Sequence, residues 1–295
     1  MTNNQTRIAN CSLQIDNCIL SIAGFDPSSG AGITSDIKTF EAHGFYGLSV
    51  CTGVTVQNDM DFKTCEWISP EVILSQIETL FERFEINVVK IGIVQSWATL
   101  SLILDKLHDL NRDIKIILDP IIKATAGFDF HTEENQDLLD KIWKQCNIIT
   151  PNYDEIQLLY PEKDIEETLE YISNYTNIYL KGGHRKDKKG WDELYHSGIV
   201  MVNMPPNTEK VSEKHGSGCI LSSSLACNIA LGQHIEDACK AAKYYTEQFL
   251  NSNDSLLGSH DYRSLGVENL RSLGVENLRS LGVENLRSEV AQKFK

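Results

Sequence analysis

Cys18-Ile19-Leu20-Ser21-Ile22-Ala23 is an apolar run of the length of a buried strand, and it ends in Gly24-Phe25-Asp26-Pro27-Ser28-Ser29-Gly30-Ala31-Gly32. A helix pattern follows through about Ala42, carrying Asp36 and Lys38. The same alternation repeats outward along the chain. Strands are expected over 48–56, 88–94, 114–118, 147–150 and 177–181, and helices over about 70–84, 97–110, 133–143, from 151 onward, 165–173 and 235–250. Ser197-Gly198 splits 193–196 from 199–203 as a hairpin. Strand–helix alternation on this scale predicts a three-layer α/β/α domain over 18–257, with a mainly parallel central sheet and helices on both faces.

Composition bounds what such a domain does. The chain has 295 residues, 41% of them hydrophobic, and a net charge of −14 from 41 acidic and 27 basic side chains. That balance argues against a nucleic-acid binder or an anionic-membrane binder, which present basic surfaces. Anionic substrates would need local groups to hold them against the overall field. Eight cysteines occur without a CxxC pair, so zinc is not expected. Residues 1–17 read as a polar extension without the apolar run of a signal peptide, and no stretch reads as a membrane span. A cytoplasmic, reduced protein is expected. Residues 258–295 form a tail in which Arg263-Ser264-Leu265-Gly266-Val267-Glu268-Asn269-Leu270 recurs at 271–278 and 279–286. A period of eight fits neither a straight helix nor a heptad seam, so the tail is expected to be a mobile appendage outside the chemistry.

The second decisive stretch is Lys214-His215-Gly216-Ser217-Gly218-Cys219, running into Ile220-Leu221-Ser222-Ser223-Ser224-Leu225-Ala226. A helix starts at or just before Cys219. Its first N–H groups lack intrahelical partners and its dipole is positive there, so flanking glycines make a phosphate cradle. The same potential is expected to lower the Cys219 thiol and make it a proton acceptor. The alternative is a glycine-rich loop before a core helix with a buried cysteine. Gly30-Ala31-Gly32 fails as a P-loop, because no lysine follows it, and is weak as a dinucleotide fingerprint, because the second strand ends in Gln57 rather than an acid.

Gly24, Gln57, Asp119, Asn152, Glu155 and Lys181 all fall at or just after the C-terminal ends of strands, the edge where open α/β sheets bind ligands. Asn152-x-x-Glu155 puts an amide and a carboxylate one turn apart, which suits either water-mediated magnesium or a helix cap. Asp119 reads either as a second carboxylate near metal and phosphates or as an Asp-Pro turn residue. Lys181 reads either as a cation for nucleotide phosphates or as an exposed lysine. Together these groups suit phosphoryl transfer to a substrate hydroxyl.

The chain resembles the hydroxymethylpyrimidine/phosphomethylpyrimidine kinases of the ribokinase superfamily. The resemblance rests on Ile22-Ala23-Gly24-Phe25-Asp26-Pro27-Ser28-Ser29-Gly30-Ala31-Gly32-Ile33-x-x-Asp36-x-Lys38-Thr39-Phe40, Val56-Gln57-Asn58, Lys90-Ile91-Gly92, Leu118-Asp119-Pro120, Thr150-Pro151-Asn152-x-x-Glu155, Lys181-Gly182-Gly183-His184 and His215-Gly216-Ser217-Gly218-Cys219. It spans about 19–250 and implies a thiamine-biosynthesis enzyme using ATP and Mg2+ on 4-amino-5-hydroxymethyl-2-methylpyrimidine and its monophosphate. It implies that Gly216, Ser217 and Gly218 form the anion hole and that Cys219 accepts the hydroxymethyl proton. Asn152 and Glu155 would organise magnesium, Asp119 would lie near the phosphates, and Lys181 would bind them. Gly24, Asp36 and Gln57 would hold the pyrimidine, walled by Ala31, Ile93 and Ile121. A homodimer is expected by the same analogy. The Gln57 amide offers a donor and an acceptor for an aminopyrimidine edge, which favours this substrate over pyridoxal or pyridoxine, the alternative within the branch. A non-catalytic vitamin-binding or sensor protein is the alternative of another class. Departures from the family pattern are Ser28-Ser29-Gly30 for Ser-Gly-Gly, Thr55 at an apolar wall position, Ile93 for methionine, and Lys123 in a loop, 123–130, expected to close as a lid.

Overall fold

The computed structural model describes residues 17–122, 136–183, 185, 188–208 and 212–260. The expectations for the extension 1–16, the loop 123–130 and the repeats at 263–286 lie outside those residues. The described elements, in order, are β1 (Cys18–Phe25), α1 (Gly32–Ala42), β2 (Tyr46–Gln57), β3 (Phe62–Trp67), α2 (Pro70–Phe81), β4 (Val88–Ile91), α3 (Trp97–Leu110) and β5 (Lys115–Leu118). Then come α4 (Gln136–Gln145), β6 (Ile148–Ile149), α5 (Tyr153–Leu159), α6 (Ile165–Ser173), β7 (Asn177–Leu180), β8 (Asp192–His196), β9 (Ile199–Met204), α7 (Ser217–Ala230) and α8 (Ile235–Leu250).

One sheet runs in the order β3-β2-β1-β4-β5-β6-β7-β8-β9. Its centre, from β2 to β7, is parallel, while β3 and the β8–β9 hairpin pair antiparallel at the ends. The expected three-layer α/β/α fold is therefore present. The strands are apolar on both faces because both are covered. Leu20, Val89, Ile116, Ile149 and Ile178 pack toward α2–α6, and Ile19, Val88, Ile117, Ile148 and Tyr179 toward α1, α7 and α8. Strand order reverses between β2 and β4 on either side of β1, which makes the β1–β4 boundary the topological switch point where such sheets bind ligands.

Two expectations change in detail. The third strand ends at Ile91 rather than at 94, and β6 has two residues rather than four. Backbone bonds nevertheless carry the ladder past the strand ends, from Gly92 N–H to Ile22, Asp119 N–H to Ile91, Thr150 N–H to Leu118 and Lys181 N–H to Pro151. Strand β3 is absent from the sequence reading because it is a mostly exposed edge strand without an apolar run. Its signal is the Asn58 turn, whose side-chain oxygen accepts from the N–H groups of Met60 and Asp61. Among the described residues no helix is long and apolar enough to cross a membrane, and the seven described cysteines are free.

Candidate active site

Two glycine loops meet at the sheet edge. Asp26 organises the first: its carboxylate accepts from Ser28 N–H (2.8 Å), Ser28 Oγ (2.8 Å) and Ala31 N–H (2.9 Å). It also pairs with His215 Nε2 at 2.9 Å, which ties the loop to the second one. Burial works against the Asp26 charge, but His215 and the Ser28 and Ala31 donors outweigh it and hold the carboxyl below its usual range. Gly32 has φ +62°, and a Cβ there would lie 2.1 Å from the Gly24 carbonyl oxygen. Gly216 has φ +75°, and its Cβ would lie 1.9 Å from the Gly30 oxygen. Glycine takes the left-handed backbone without strain, and at these two positions only glycine permits the close approach. Ser29, by contrast, takes φ +58° with a side chain, where the family pattern has glycine, at a cost of about 1–2 kcal/mol.

Helix α7 begins at Ser217, as its sequence pattern requires, with Gly216 as N-cap. The Ile220 N–H bonds to the Gly216 carbonyl at 3.1 Å, so the amides of Ser217, Gly218 and Cys219 precede the first intrahelical bond. A Cβ on Gly218 would lie 3.3 Å from Lys181 Nζ and 3.6 Å from Asp119 Oδ2, which places the cradle against those two charges.

Lys181, just past β7, is the centre of the phosphate side. Its ammonium bonds Asp119 Oδ1 at 2.8 Å and lies 3.7 Å from Glu155 Oε2. Burial opposes that charge, but Asp119 and Glu155 raise the lysine above its ordinary value. Thr150 Oγ1 adds a 3.1 Å bond to Asp119 Oδ1. Two carboxylates share one lysine, and burial, opposed by Lys181 and reinforced by Asp119, pushes Glu155 up to about 7. Asn152 and Glu155 form a capping box on α5: Asn152 Oδ1 accepts from Glu155 N–H at 2.9 Å and Glu155 Oε2 from Asn152 N–H at 2.7 Å. The helix-cap alternative of the sequence reading is thus realised. The donor chemistry still fits magnesium, since two hard carboxylates beside an anion cradle suit an ion that keeps much of its water. Among the described residues no group of three or more acidic, histidine or cysteine side chains could by itself hold a metal ion.

Cys219 departs from expectation. The thiol is 7% exposed, and burial pushes it up to about 11. Lys90 and the Gly32 N–H lower it, but Asp36 and Asp119 add to the burial. Loss of water around the sulfur exceeds the pull of the helix terminus, so the expected lowering does not occur.

On the other side, Gly24 and Ile93 face each other across the switch point; a Cβ on Gly24 would meet Ile93 Cδ1 at 2.5 Å. Ala31 caps α1, and Ile121 follows Asp119, its N–H bonding the Asp119 carbonyl at 2.9 Å. Gln57 is half-buried at the end of β2, three strands from Asp119 or about 14 Å at the usual strand spacing, with the packed pair Gly24 and Ile93 between them. Thr55 does not stand as a wall but bonds the Phe25 carbonyl at 2.9 Å. Asp36 is placed differently from expectation. It is fully buried, with Lys90 Nζ at 2.9 Å from both oxygens, Ser21 Oγ at 2.6 Å and Ser223 Oγ at 2.7 Å. Its oxygens are engaged by protein donors.

Lys90, the Asp26–His215 link, Thr150 and Ser223 were not given roles from sequence. Lys90 carried a usable signal: a lysine inside Val88-Val89-Lys90-Ile91 demands a buried acidic partner.

Comparison with known proteins identifies the family. The sequence model of the family described as phosphomethylpyrimidine kinase matches residues 26–262. A hydroxymethylpyrimidine/phosphomethylpyrimidine kinase of Rhizobium meliloti is 32% identical over 246 residues, covering 80% of this chain and 91% of the relative. The crystal structure of phosphomethylpyrimidine kinase from Clostridium difficile superposes with a TM-score of 0.65 at 32% identity, covering 78% of this chain and 97% of that one. A pyridoxal kinase from Staphylococcus aureus shares the fold, with a TM-score of 0.71 at 19% identity over 85% of this chain and 95% of that one. A cradle at a helix N-terminus beside a shared Lys–Asp–Glu cluster is chemistry for phosphoryl transfer, and the chain belongs to the phosphomethylpyrimidine kinase family of thiamine biosynthesis, a family of phosphotransferases.

Proposed function

We propose that the protein transfers the γ-phosphoryl group of ATP, with Mg2+, to the hydroxymethyl group of 4-amino-5-hydroxymethyl-2-methylpyrimidine, and then to the resulting monophosphate. The observation that carries this reading is the closeness of Gly218 to Lys181 and Asp119, which sets the free amides of α7 beside a cluster suited to phosphate and magnesium. Family membership supports it, and so do the substrates named for the relatives at 32% identity.

In this reading the amides of Gly216, Ser217, Gly218 and Cys219 receive the negative charge that develops on the transferring group. Lys181 leaves part of its bond to Asp119 to hold ATP phosphates. Glu155, Asp119 and the Asn152 amide would hold hydrated magnesium, which supplies charge neutralisation across the phosphates. The ring lies against Gly24 at the switch point, with Ala31, Ile93 and Ile121 as walls and the Gln57 amide on its aminopyrimidine edge. Asp36 acts from behind, through Lys90 and α7. Cys219 accepts the hydroxymethyl proton as the oxygen attacks phosphorus, which requires the thiolate. With the thiol at about 11, the thiolate fraction rises tenfold per pH unit across the neutral and mildly alkaline range.

The test is product analysis by mass with the pyrimidine and with pyridoxal, each with ATP and magnesium. The pyrimidine should be phosphorylated preferentially and give a diphosphate. Preferential pyridoxal phosphorylation would move the assignment to that branch, and binding without turnover would make the protein a sensor. Cys219→Ala should lose about 10²–10⁴-fold in turnover with ATP binding retained. The parent rate should climb from pH 7 to 9; a flat profile together with an active alanine variant would remove Cys219 as the base.

A further inference from the structure

Helix α7 carries three consecutive serines, Ser222, Ser223 and Ser224, each fully buried. Alanine is the better helix former and buries no polar atom, so a serine run in a core helix lowers stability unless each hydroxyl is bonded to something that matters. Each is bonded, and in a different direction, as successive residues 100° apart on a helix must be. Ser222 Oγ bonds back to the Gly218 carbonyl at 3.0 Å, within the first turn, and lies 3.4 Å from Asp119 Oδ2. Ser223 Oγ donates to Asp36 Oδ1 at 2.7 Å. Ser224 Oγ meets His43 Nε2 at 3.1 Å, and His43 Nδ1 lies 2.9 Å from the Thr39 carbonyl, which leaves Nε2 as the acceptor.

The partner of Ser223 is itself immobilised. Asp36, from the middle of α1, is fixed by Lys90 on β4 and Ser21 on β1, so four elements converge on one carboxylate. Ser223 lies four residues after Cys219 and so on the same face of the helix, one turn along. The bonds to Asp36 and His43 are one residue apart on α7 but two turns apart on α1. Together they fix both the rotation of α7 about its axis and its slide along α1. The apolar contacts of Leu221, Leu225 and Ala226 are non-directional, so the two hydrogen bonds add a directional restraint.

We propose that Ser223 and Ser224 are positioning residues that set the rotation of α7 and thereby aim the Cys219 sulfur and the amides of 216–219 at the reacting phosphoryl group. The inference rests on the kinase reading above, but it concerns residues that touch neither substrate nor nucleotide. Losing one bond loosens that restraint slightly; losing both loosens it further, with Ser222 still held against Asp119.

The experiment compares Ser223→Ala, Ser224→Ala and the double variant with the parent, using kcat, KM for ATP, the rate of Cys219 alkylation followed on its peptide by mass, and thermal unfolding. Each single variant should lose about fivefold in kcat with KM for ATP within twofold. The double should lose about a hundredfold, more than the sum of the two in free energy, because either bond alone still limits rotation. Cys219 alkylation should change in the same order in protein that is still folded. Ser224→Ala, which leaves the Asp36–Lys90 pair untouched, carries the test alone if Ser223→Ala does not fold. Variants whose unfolding temperature falls while kcat and alkylation stay within twofold of the parent would overturn the proposal and leave the serines as packing. The kinase reading fails separately, if the parent protein binds the pyrimidine and pyridoxal but phosphorylates neither; alkylation rates still report the helix rotation in that case.

Discussion

Two buried lysine–aspartate pairs flank Cys219, and they are built for opposite purposes. In Asp36–Lys90 both side chains are fully buried and the carboxylate is engaged by Lys90, Ser21 and Ser223. In Asp119–Lys181 the lysine side chain keeps 16% exposure and a second carboxylate, Glu155, lies 3.7 Å away. The first pair is neutral and closed. The second carries an excess negative charge and faces the cradle, which leaves it short of cation. A closed pair orients elements; an open, over-acidic one suits the proposed roles of receiving magnesium and lending its lysine to phosphate.

Replacement of the two lysines should separate these roles. Lys90→Met should cost about 3–5 kcal/mol of stability in urea unfolding, because it leaves Asp36 charged, buried and short of its cation. Adding Asp36→Asn should recover part of that loss. Lys181→Met should instead lower kcat/KM for ATP by about 10²–10³-fold while costing less stability than Lys90→Met, since Glu155 can take up a proton. Equal stability losses in the two variants would erase the distinction.

Glu155 sharpens the comparison through pH. Its folded value of about 7 lies above the ordinary 4.5, so between those values the folded protein binds more protons than the unfolded chain. Stability from this group is therefore fully present below about 4.5 and lost as pH rises through about 7. Glu155→Gln should flatten that slope and stabilise the protein at pH 8 by on the order of 1 kcal/mol. An unchanged slope would locate the excess charge elsewhere. The smallest effect concerns Asn152, whose capping role predicts about 1 kcal/mol lost in Asn152→Ala and nearly none in Asn152→Ser. If the serine variant keeps its stability but needs more magnesium for half-maximal turnover, the amide serves the metal as well as the cap.

How much of this was legible beforehand can be followed residue by residue. The strand–turn–helix reading around Cys18–Gly32 carried over, because apolar runs bounded by glycine loops are local signals. The last helix, Ile235–Leu250, and Trp97–Leu110 fell where periodicity put them. The motif residues Asp119, Asn152, Glu155, Lys181 and Gly216–Cys219 do gather, because each follows a strand or opens a helix at the same edge. Asp36 and Lys90 were legible as charged residues but not as a pair, since 54 positions separate them. The Asp26–His215 link spans 189 positions and was equally invisible.

The sequence by itself determined the alternation of elements, the edge at which chemistry collects and the family to which the chain belongs, because these depend on local periodicity and on short motifs in a fixed order. Only the tertiary structure decided the state of the groups. Cys219, expected to be acidified by its helix terminus, is held near 11 by burial, and Asn152 and Glu155 cap a helix as well as facing the phosphate side. Asp36 turned from the site toward Lys90 and α7. Protonation and orientation depend on which distant charges and how much water surround a side chain, and those are fixed only when the layers pack.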